Sequence, residues 1–419
     1  MMEIKSEQSS RKSRILEALE NEHVSITFDD PLENEMVLNM GPQHPATHGV
    51  LRLLIKLDGE TVLASVPELG YLHRGYEKLA ENCSFHEFIP HTDRLDYLSP
   101  LSNNVAYVLA VEKLLGIEAP PRAQYIRTLI AELARISSHL MFLGSLAMDV
   151  GALTVWMWSF REREKMYDIF EIIAGARFTT SYTRIGGLAQ DITGETLSII
   201  RGFIDDLPQK VLECEKLLNT NRIFLGRVDG VGIITKERAM DLGLTGPCLR
   251  ACGVEHDLRH ANPYLVYNDL DFTVPIYEGG DCLARYYVRM AEIKESIKIV
   301  RQILDKIPAG EVKAGQPKQV LPNKERVYKK MEELIHDFML INFGVNPPVG
   351  EIYHAVESPK GELGFYIYSN GEGQPWRMKI RSPSFVNLQS ISTMMKGAMI
   401  SDVVAIVGSL DPIMGEADK

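Results

Sequence analysis

The chain has 419 residues, of which 45% are hydrophobic and 24% are charged, and its formal net charge is −11. This composition is ordinary for a soluble protein with a sizeable core, by size alone of two or three domains. The negative charge argues against a nucleic-acid-binding surface, which would normally be basic.

The first 35 residues read as a polar tail, with a helix expected only over Arg14–Glu22. This segment has no apolar stretch of the kind that secretory signals carry, and its several glutamates are atypical of a mitochondrial presequence. We therefore expect a location in a bacterial cytoplasm or on the cytoplasmic side of a membrane assembly.

Strand-like alternation begins after Glu35, in the runs MVLNM and VLRLLIKLDGETVLASV. The pair Asp58–Gly59 between two alternating stretches is typical of a hairpin turn. We predict an antiparallel sheet within an N-terminal region of residues 36–100.

The same region carries polar side chains that suit a small polar headgroup. Two histidines stand in a loop punctuated by proline and glycine, and the stretch closes on arginine, carboxylate, tyrosine and serine: His44, His48, Arg94, Asp96, Tyr97 and Ser99. Such groups can hydrogen-bond and protonate a ligand. Each alone could equally cap a turn or pack in a core, but their joint appearance favours a binding site.

From Asn104 the spacing of apolar residues becomes helical. A helix is predicted to Ile117, and a longer one begins at Pro120–Pro121. The nineteen residues Leu140–Trp158 are then almost wholly apolar, which is long enough to resemble a membrane span. The charge of Asp149 favours instead a helix buried in a large core, where a carboxylate needs a partner.

The remaining chain predicts further helices, a hairpin with its turn at Pro359–Gly361, and a loop-rich stretch at 221–280. The helices are expected at Glu195–Asp206, Gln209–Leu218, Cys282–Lys306, Lys324–Ile341 and near Ile391–Val403. We therefore predict an α+β fold. It has a helical core at 101–345 and a C-terminal β/α region at 346–419, in one integrated domain from 36 to 419.

Several kinds of site find no support in the sequence. The motifs GxGxxG, GxxxxGK[ST], HExxH, GxSxG and CxxC do not occur. The five cysteines are odd in number and scattered, which suggests a reducing compartment. Only Cys248 and Cys252 are close, and no second pair completes a four-ligand site. We therefore expect no metal in this chain.

Eight segments, in chain order, form a specific pattern: GPQHPATHGVLR, YLHRGYEKLAE, TDRLDYLSP, ELARISSHL, DVGALTVWMWSFREREK, RIGG, RSPSFVNL and DPIMGEAD. Together they resemble the 49 kDa-type (D-type) subunit of respiratory complex I, the proton-pumping NADH:quinone oxidoreductase. The resemblance runs from Met36 to Lys419 and leaves residues 1–35 outside it.

That family is related to the large subunits of nickel–iron hydrogenases, so the resemblance implies their fold, a central bundle of long helices flanked by small N- and C-terminal sheets. Hydrogenases hold nickel and iron with four cysteines. Here those positions are occupied by other residues: Asp96, Ser99, Ile413 and Glu416. Without thiolates a soft-metal centre has no ligands, and the family places a quinone headgroup in the vacated pocket.

The resemblance also implies roles for single residues. His48 and Tyr97 would donate hydrogen bonds to the quinone carbonyl oxygens, and Asp149 would hydrogen-bond His48. Arg74 would lie near the terminal iron–sulfur cluster of a neighbouring subunit, where a cation favours the reduced cluster. Other residues would line or support the pocket: His44, Arg94, Asp96, Ser99, Met141 and Ser145.

Two polar features receive a structural interpretation. His139, on an otherwise apolar helix, is expected to be a core histidine with a satisfied hydrogen bond. The charged run Arg161–Lys165 is expected to face solvent or another subunit.

The function implied by the resemblance is quinone reduction, coupled to proton translocation, in a peripheral-arm subunit on the cytoplasmic side of the bacterial inner membrane. The chain itself would have no transmembrane segment. The implied partners are a B-type cluster-bearing subunit, a 30 kDa-type (C-type) subunit and an H-type membrane subunit, with ubiquinone or menaquinone as substrate.

Two alternatives stay open. One is a non-catalytic scaffold descended from a hydrogenase, in a related complex with another electron donor. The joint presence of His48, Tyr97 and Asp149 argues against it. The other is a hydrogenase large subunit, against which the missing cysteines argue.

Overall fold

The computed structural model describes residues 35–315 and 319–419. The polar tail and its expected helix at Arg14–Glu22 lie outside the described residues. The strands are β1 (Glu35–Met40), β2 (Arg52–Asp58), β3 (Thr61–Glu68), β4 (Thr183–Arg184), β5 (Gly187–Leu188), β6 (Gly350–Ser358), β7 (Gly361–Ser369) and β8 (Arg377–Arg381). Together with the helices below they form the α+β fold that the sequence predicts.

The helices of the first half are α1 (Tyr76–Ala80), α2 (Ile89–Thr92), α3 (Pro100–Leu115), α4 (Pro121–Asp149), α5 (Leu153–Ala174) and α6 (Gly194–Asn219). Those of the second half are α7 (Arg222–Val228), α8 (Lys236–Asp241), α9 (Pro247–Arg250), α10 (Leu258–Ala261), α11 (Cys282–Lys306), α12 (Lys324–Val327), α13 (Met331–Phe343), α14 (Pro383–Leu388), α15 (Ile391–Met395), α16 (Val403–Leu410) and α17 (Met414–Ala417). The long helices α4, α5, α6 and α11 pack on one another and form the core.

Both predicted hairpins are present. The N-terminal sheet has the antiparallel order β1-β2-β3, and its second turn contains Gly59 at a φ of 57°, which glycine adopts without strain. The C-terminal sheet has the order β6-β7-β8, with Ser358 paired to Gly361 across the turn. Helix α3 packs on this second sheet, where Tyr107 meets Phe365 edge to face.

The apolar run at 140–158 is two helices rather than the single one predicted. Helix α4 begins with Pro121 in its first turn and ends at Asp149. Gly151 then takes a φ of 92°, which a helix cannot contain, and α5 starts at Leu153. Within the described residues, α4 alone is long and apolar enough to cross a membrane, and 94% of its most apolar window is buried inside the protein.

Other boundaries also differ from the predicted ones. The helices predicted at 195–206 and 209–218 are one continuous helix, α6, with Pro208 inside it. The buried apolar face that continues past Pro208 outweighs the backbone hydrogen bond that proline removes. Conversely, the helix predicted at 324–341 is divided into α12 and α13, and that at 391–403 is interrupted at Gly397, whose φ is 80°.

The last residues of the chain are buried in the core. This C-terminal segment, Asp411–Asp418, runs from the end of α16 through α17, and each of its residues is buried. Asp418 accepts hydrogen bonds from the backbone N–H groups of Gly70 and Leu72, at 2.8 and 2.7 Å. The segment therefore reaches the part of the chain that follows the N-terminal sheet, where half of the predicted site residues lie: Arg74, Arg94, Asp96, Tyr97 and Ser99.

Candidate functional site

His48 and Asp149 form a direct polar contact between two residues of the predicted site. The imidazole Nε2 lies 2.6 Å from Oδ2 of Asp149, and the two side chains are 17% and 8% exposed. Asp149 is the last residue of α4, and His48 follows a short 3₁₀ turn at a φ of 49°. Few residues other than glycine adopt this conformation, although histidine does so more often than most. The Nδ1 atom of His48 has no hydrogen-bond partner in the described part of the chain.

Gly408 of α16 packs directly against this pair. A methyl group at Gly408 would lie 2.9 Å from the Asp149 Oδ2 and 3.4 Å from the His48 Nε2. Real side chains essentially never approach as closely as the first of these distances. The absence of a side chain at Gly408 is therefore what lets α16 close over the histidine–aspartate contact.

Alanine at Gly408 is expected to lower the thermal stability of the chain, whereas alanine at Gly202 is expected to raise it. Both glycines are helical, but a methyl group at Gly202 of α6 meets nothing within 4 Å. Glycine costs a helix about 1 kcal/mol relative to alanine, and forcing a methyl into packed surroundings costs about 1–3 kcal/mol. Thermal unfolding of the two full-length variants measures the difference. Equal stabilisation by both would contradict the packing at Gly408.

Tyr97 is half-buried just before α3, with its ring 6.2 Å from that of Phe178. Burial raises the pKa of the phenol above its usual 10, and the neighbouring Asp96 raises it further. Among residues 35–315 and 319–419, no group hydrogen-bonds the hydroxyl. The hydroxyl therefore keeps its proton at neutral pH and is free to donate a hydrogen bond to a ligand.

The C-terminal segment contacts both the loop of His48 and the ring of Tyr97. A methyl group at Gly49, beside His48, would lie 3.3 Å from the Cγ of Met414. One at Gly415 would lie 3.4 Å from the Tyr97 Cδ1 and 2.6 Å from the carbonyl oxygen of Leu95. The loop of His48 and the ring of Tyr97 therefore both pack against α17, and Gly415 allows the close approach to Tyr97.

Buried carboxyl groups adjoin Tyr97. Asp96 and Glu416 are both fully buried. Asp96 Oδ1 accepts a hydrogen bond from the backbone N–H of Leu98 at 3.0 Å, and Glu416 Oε1 accepts from the backbone N–H and the hydroxyl of Ser384. Burial, reinforced by the charge of Asp96, raises the pKa of Glu416 to about 8.

Lys360 completes this cluster, although it is not among the residues predicted from the sequence. The side chain is 1% exposed and forms an ion pair with Asp411. Burial lowers the pKa of Lys360 to about 7, against the opposing effect of Asp96. In sequence, Lys360 is one residue of a polar turn, and only the packing of the hairpin against the C-terminal segment buries it.

The predicted residues Arg74 and Arg94 lie on the exposed side of Tyr97. Arg74 donates a hydrogen bond to the carbonyl oxygen of Arg94 at 3.1 Å and stacks over the ring of Tyr76. Arg94 is 44% exposed and donates to the carbonyl oxygen of Pro90 at 2.6 Å. Two cationic groups are therefore presented at the surface beside the tyrosine.

The other predicted residues are spread around this centre. Ser99 is buried and donates to the hydroxyl of Ser102, and Ser145 is buried and donates to the carbonyl oxygen of Phe142. The sulfur of Met141 lies 3.2 Å from the Nη1 of Arg163. His44 is exposed, and its carbonyl oxygen accepts hydrogen bonds from Thr47.

Arg163 and Glu162 correct the interpretation of the charged run at 161–165. Both residues are 2% exposed, so this part of the run faces the core rather than solvent or another subunit. Arg163 contacts Ser137 and Met141 of α4, while Arg161 and Lys165 are 48% and 45% exposed. His139 is buried in the core as predicted, and its Nε2 contacts Glu292 at 2.8 Å, whereas its Nδ1 has no hydrogen-bond partner in the described residues.

The described residues contain no cluster of three or more histidine, cysteine or acidic side chains placed to hold a metal ion. Cys248 and Cys252 are buried free thiols, and the second donates to the carbonyl oxygen of the first. Two surface cavities of about 340 and 420 Å³ lie elsewhere, beside Asp191 and beside Trp376, and neither is lined by a predicted site residue.

Comparisons with known proteins give one consistent result. Residues 149–419 match the family described as respiratory-chain NADH dehydrogenase, 49 Kd subunit. The D 1 subunit of the NADH-quinone oxidoreductase of Chloroherpeton thalassium is 59% identical over 415 residues, 99% of this chain and 94% of the relative. The D subunit of the same enzyme of Salinibacter ruber is 56% identical over 93% of this chain and 87% of the relative. That of Methylacidiphilum infernorum is 55% identical over 93% of both chains.

Proposed function

Because the chain belongs to the family of the 49 kDa subunit of respiratory-chain NADH dehydrogenase, we propose that it forms the quinone-reduction site of that complex. It does so beside the terminal iron–sulfur cluster of a partner subunit. The chain is thus a subunit of a proton-translocating NADH:quinone oxidoreductase. The observation that carries the proposal is that the loop of His48, which is paired with Asp149, and the ring of Tyr97 both pack against the same C-terminal segment.

Quinone reduction needs two electrons and two protons, and this chain would supply the protons. Electrons supplied by the partner's cluster would make the quinone oxygens strongly basic. Donors held in fixed positions stabilise that charge and then transfer their protons. Tyr97 suits one oxygen because its raised pKa keeps the proton in place until a strong base appears. His48 suits the other through Nδ1, since Nε2 is already engaged by Asp149.

Asp149 has a positioning role in this proposal. A carboxylate 2.6 Å from one ring nitrogen fixes the orientation of the imidazole. Asp149 thereby leaves Nδ1 of His48 in a fixed position, from which it can donate a hydrogen bond to the ligand. The contact with His48 also explains why a carboxylate, Asp149, is present within the long apolar run at 140–158.

The site is expected to be completed by other subunits. Arg74 and Arg94 are exposed beside Tyr97, and apolar side chains nearby are exposed as well: Met148 by 41%, Leu153 by 54% and Phe178 by 45%. Such a surface suits a protein interface. We propose that the B-type cluster-bearing subunit covers it, with Arg74 towards the cluster. The 30 kDa-type (C-type) subunit and the H-type membrane subunit are further proposed partners.

A hydrogenase-like fold is part of the proposal. The four positions that hold metal in nickel–iron hydrogenases are here all buried, at no more than 4% exposed: Asp96, Ser99, Ile413 and Glu416. Asp96 and Glu416 are near enough for the charge of one to raise the pKa of the other. This proximity supports an arrangement in which the former ligand positions converge from the two ends of one integrated domain, residues 36–419.

Transfer of protons to the quinone would leave Tyr97 and the His48–Asp149 pair with altered charge. We propose that this change is the link to proton translocation in the membrane subunits, from a peripheral position on the cytoplasmic side of the inner membrane. Ubiquinone and menaquinone both present two carbonyl oxygens, so both fit the proposed donors.

The experiment for this proposal is Asp149→Asn in the assembled complex, with quinone reductase activity measured in membranes. The charge-assisted hydrogen bond to His48 is worth about 1.5–3 kcal/mol, so activity is expected to fall by about 10- to 100-fold. Electron transfer to an artificial acceptor upstream of the terminal cluster should not change.

Asp305→Asn is the matched control, because Asp305 pairs with Arg201 on the surface and is 65% exposed. It should keep full activity. If Asp149→Asn assembles and reduces quinone at the native rate, the scaffold alternative, in which another subunit binds quinone, replaces this proposal.

A further inference from the structure

We propose that the buried carboxyl pair Asp96–Glu416 holds one proton and returns it to Tyr97 after the tyrosine has protonated the quinone. The inference rests on the proposed function, since it assumes that Tyr97 is a proton donor. It adds a second proton carrier, of carboxylic acid type, behind the residue that contacts the substrate.

The hydrogen bonds of the pair leave one oxygen of each carboxyl group unused. Oδ2 of Asp96 and Oε2 of Glu416 are buried, and neither has a hydrogen-bond partner in the part of the chain that the structure describes. A buried, unpaired carboxylate oxygen is costly. A proton on one of the two groups relieves this cost, because it removes one charge and turns an acceptor into a donor.

The hydrogen bonds of the cations around the pair go to other groups, and the Nη2 of Arg163 and the Nε of Arg289 are buried without a partner in the described residues. Lys360 forms its ion pair with Asp411, and Arg163 donates to the sulfur of Met141 and the hydroxyl of Ser137. Arg289 donates to the carbonyl oxygens of Ser409 and Leu410. None of the three makes a hydrogen bond to the unused oxygens, so a proton remains the partner best suited to the carboxyl pair.

The pKa values of Glu416 and Tyr97 favour proton transfer from the carboxylic acid to the phenolate. Burial and the charge of Asp96 raise the pKa of Glu416 to about 8, and burial also raises that of Asp96. The pKa of Tyr97 lies higher still, above 10. A Glu416 carboxylic acid and a Tyr97 phenolate would therefore react to give a carboxylate and a neutral phenol, in which only the proton changes place.

The C-terminal segment packs closely against the residues just before α3, so the proton has only a short distance to travel. Gly415 brings the backbone before Glu416 against the carbonyl oxygens of Arg94 and Leu95, the residues just before the Asp96–Tyr97 pair. The charges of both Asp96 and Glu416 raise the pKa of Tyr97. All three titratable groups thus share one buried environment, which also contains Lys360 and Arg163.

The test is the pH dependence of quinone reduction by the assembled complex carrying Glu416→Gln. In the native complex, kcat should fall as pH rises through about 8, because Glu416 then loses the proton that it donates. Glu416→Gln should lower kcat about tenfold at pH 7 and remove this alkaline decline, with KM unchanged because Glu416 does not touch the quinone. Glu416→Asp should retain a decline.

A second variant measures the same pair without removing Glu416. Asp96→Asn takes away the charge that raises the pKa of Glu416, so the alkaline decline should move to lower pH. The control Glu351→Gln, an acid on β6 that hydrogen-bonds Tyr366 on the adjacent strand, should leave the profile as in the native complex.

An unchanged pH profile in both site variants, with Tyr97→Phe inactive, would overturn the inference and leave the proposed function standing. Native activity in Tyr97→Phe would instead overturn the proposed function. If Glu416→Gln does not assemble, the shift in Asp96→Asn decides, and its absence counts against the inference.

Discussion

Tyr97→Phe is expected to lower quinone reduction in membranes by about 100-fold while the complex assembles normally. A positioned general acid contributes about 10²–10⁴ to a proton-transfer step, and the variant removes only the hydroxyl. The ring stays against Phe178, and no described residue loses a hydrogen bond. The loss should therefore appear in the reaction with quinone rather than in the stability of the chain.

Tyr107→Phe provides the matched control. Its hydroxyl is fully buried and donates to the carbonyl oxygen of Phe85 at 3.0 Å, so its removal should cost about 1 kcal/mol of stability and leave activity intact. Electron delivery to an acceptor upstream of the terminal cluster should be native in both variants. Full quinone reduction in Tyr97→Phe would mean that this tyrosine only packs.

Local patterns were sufficient to predict much of the fold. The hairpin turn at Gly59 and the long helix that begins at Pro121 depend on neighbouring residues, and both are present. Asp149 was conspicuous because a charge in an apolar run requires a partner, and the contact with His48 meets that requirement. The roles of these residues in quinone reduction stay predictions.

The burial of Lys360, Glu162 and Arg163 could not be predicted in the same way. A charged residue has the same local pattern whether it faces solvent or another element, and only the contacts between elements distant in sequence decide between the two. The predicted helix boundaries were wrong for a related reason. Pro208 normally ends a helix, yet the buried face on both sides of it keeps α6 continuous.

Arg250→Met is expected to lower the stability of the chain by about 3–5 kcal/mol, the cost of breaking a buried ion pair from one side. Arg250 is fully buried, and its guanidinium contacts Glu292 at 2.7 Å and Glu357 at 2.8 Å. It also donates to the carbonyl oxygen of His256 at 2.9 Å. Methionine fills similar volume but leaves these two carboxylates, and Asp257 at 3.6 Å, without this cation. Thermal unfolding and the yield of folded chain measure the effect.

Two further variants separate charge from packing in this core. Arg201→Met removes a surface ion pair, in which Arg201 is 45% exposed, and should cost about 0–1 kcal/mol. Adding Glu357→Gln to Arg250→Met should recover part of the stability, because burial already raises the pKa of Glu357 and the neutral amide needs no cation. No recovery would mean that the shape of the arginine, rather than its charge, stabilises this region. Recovery would show that the helical core depends on matching its buried charges.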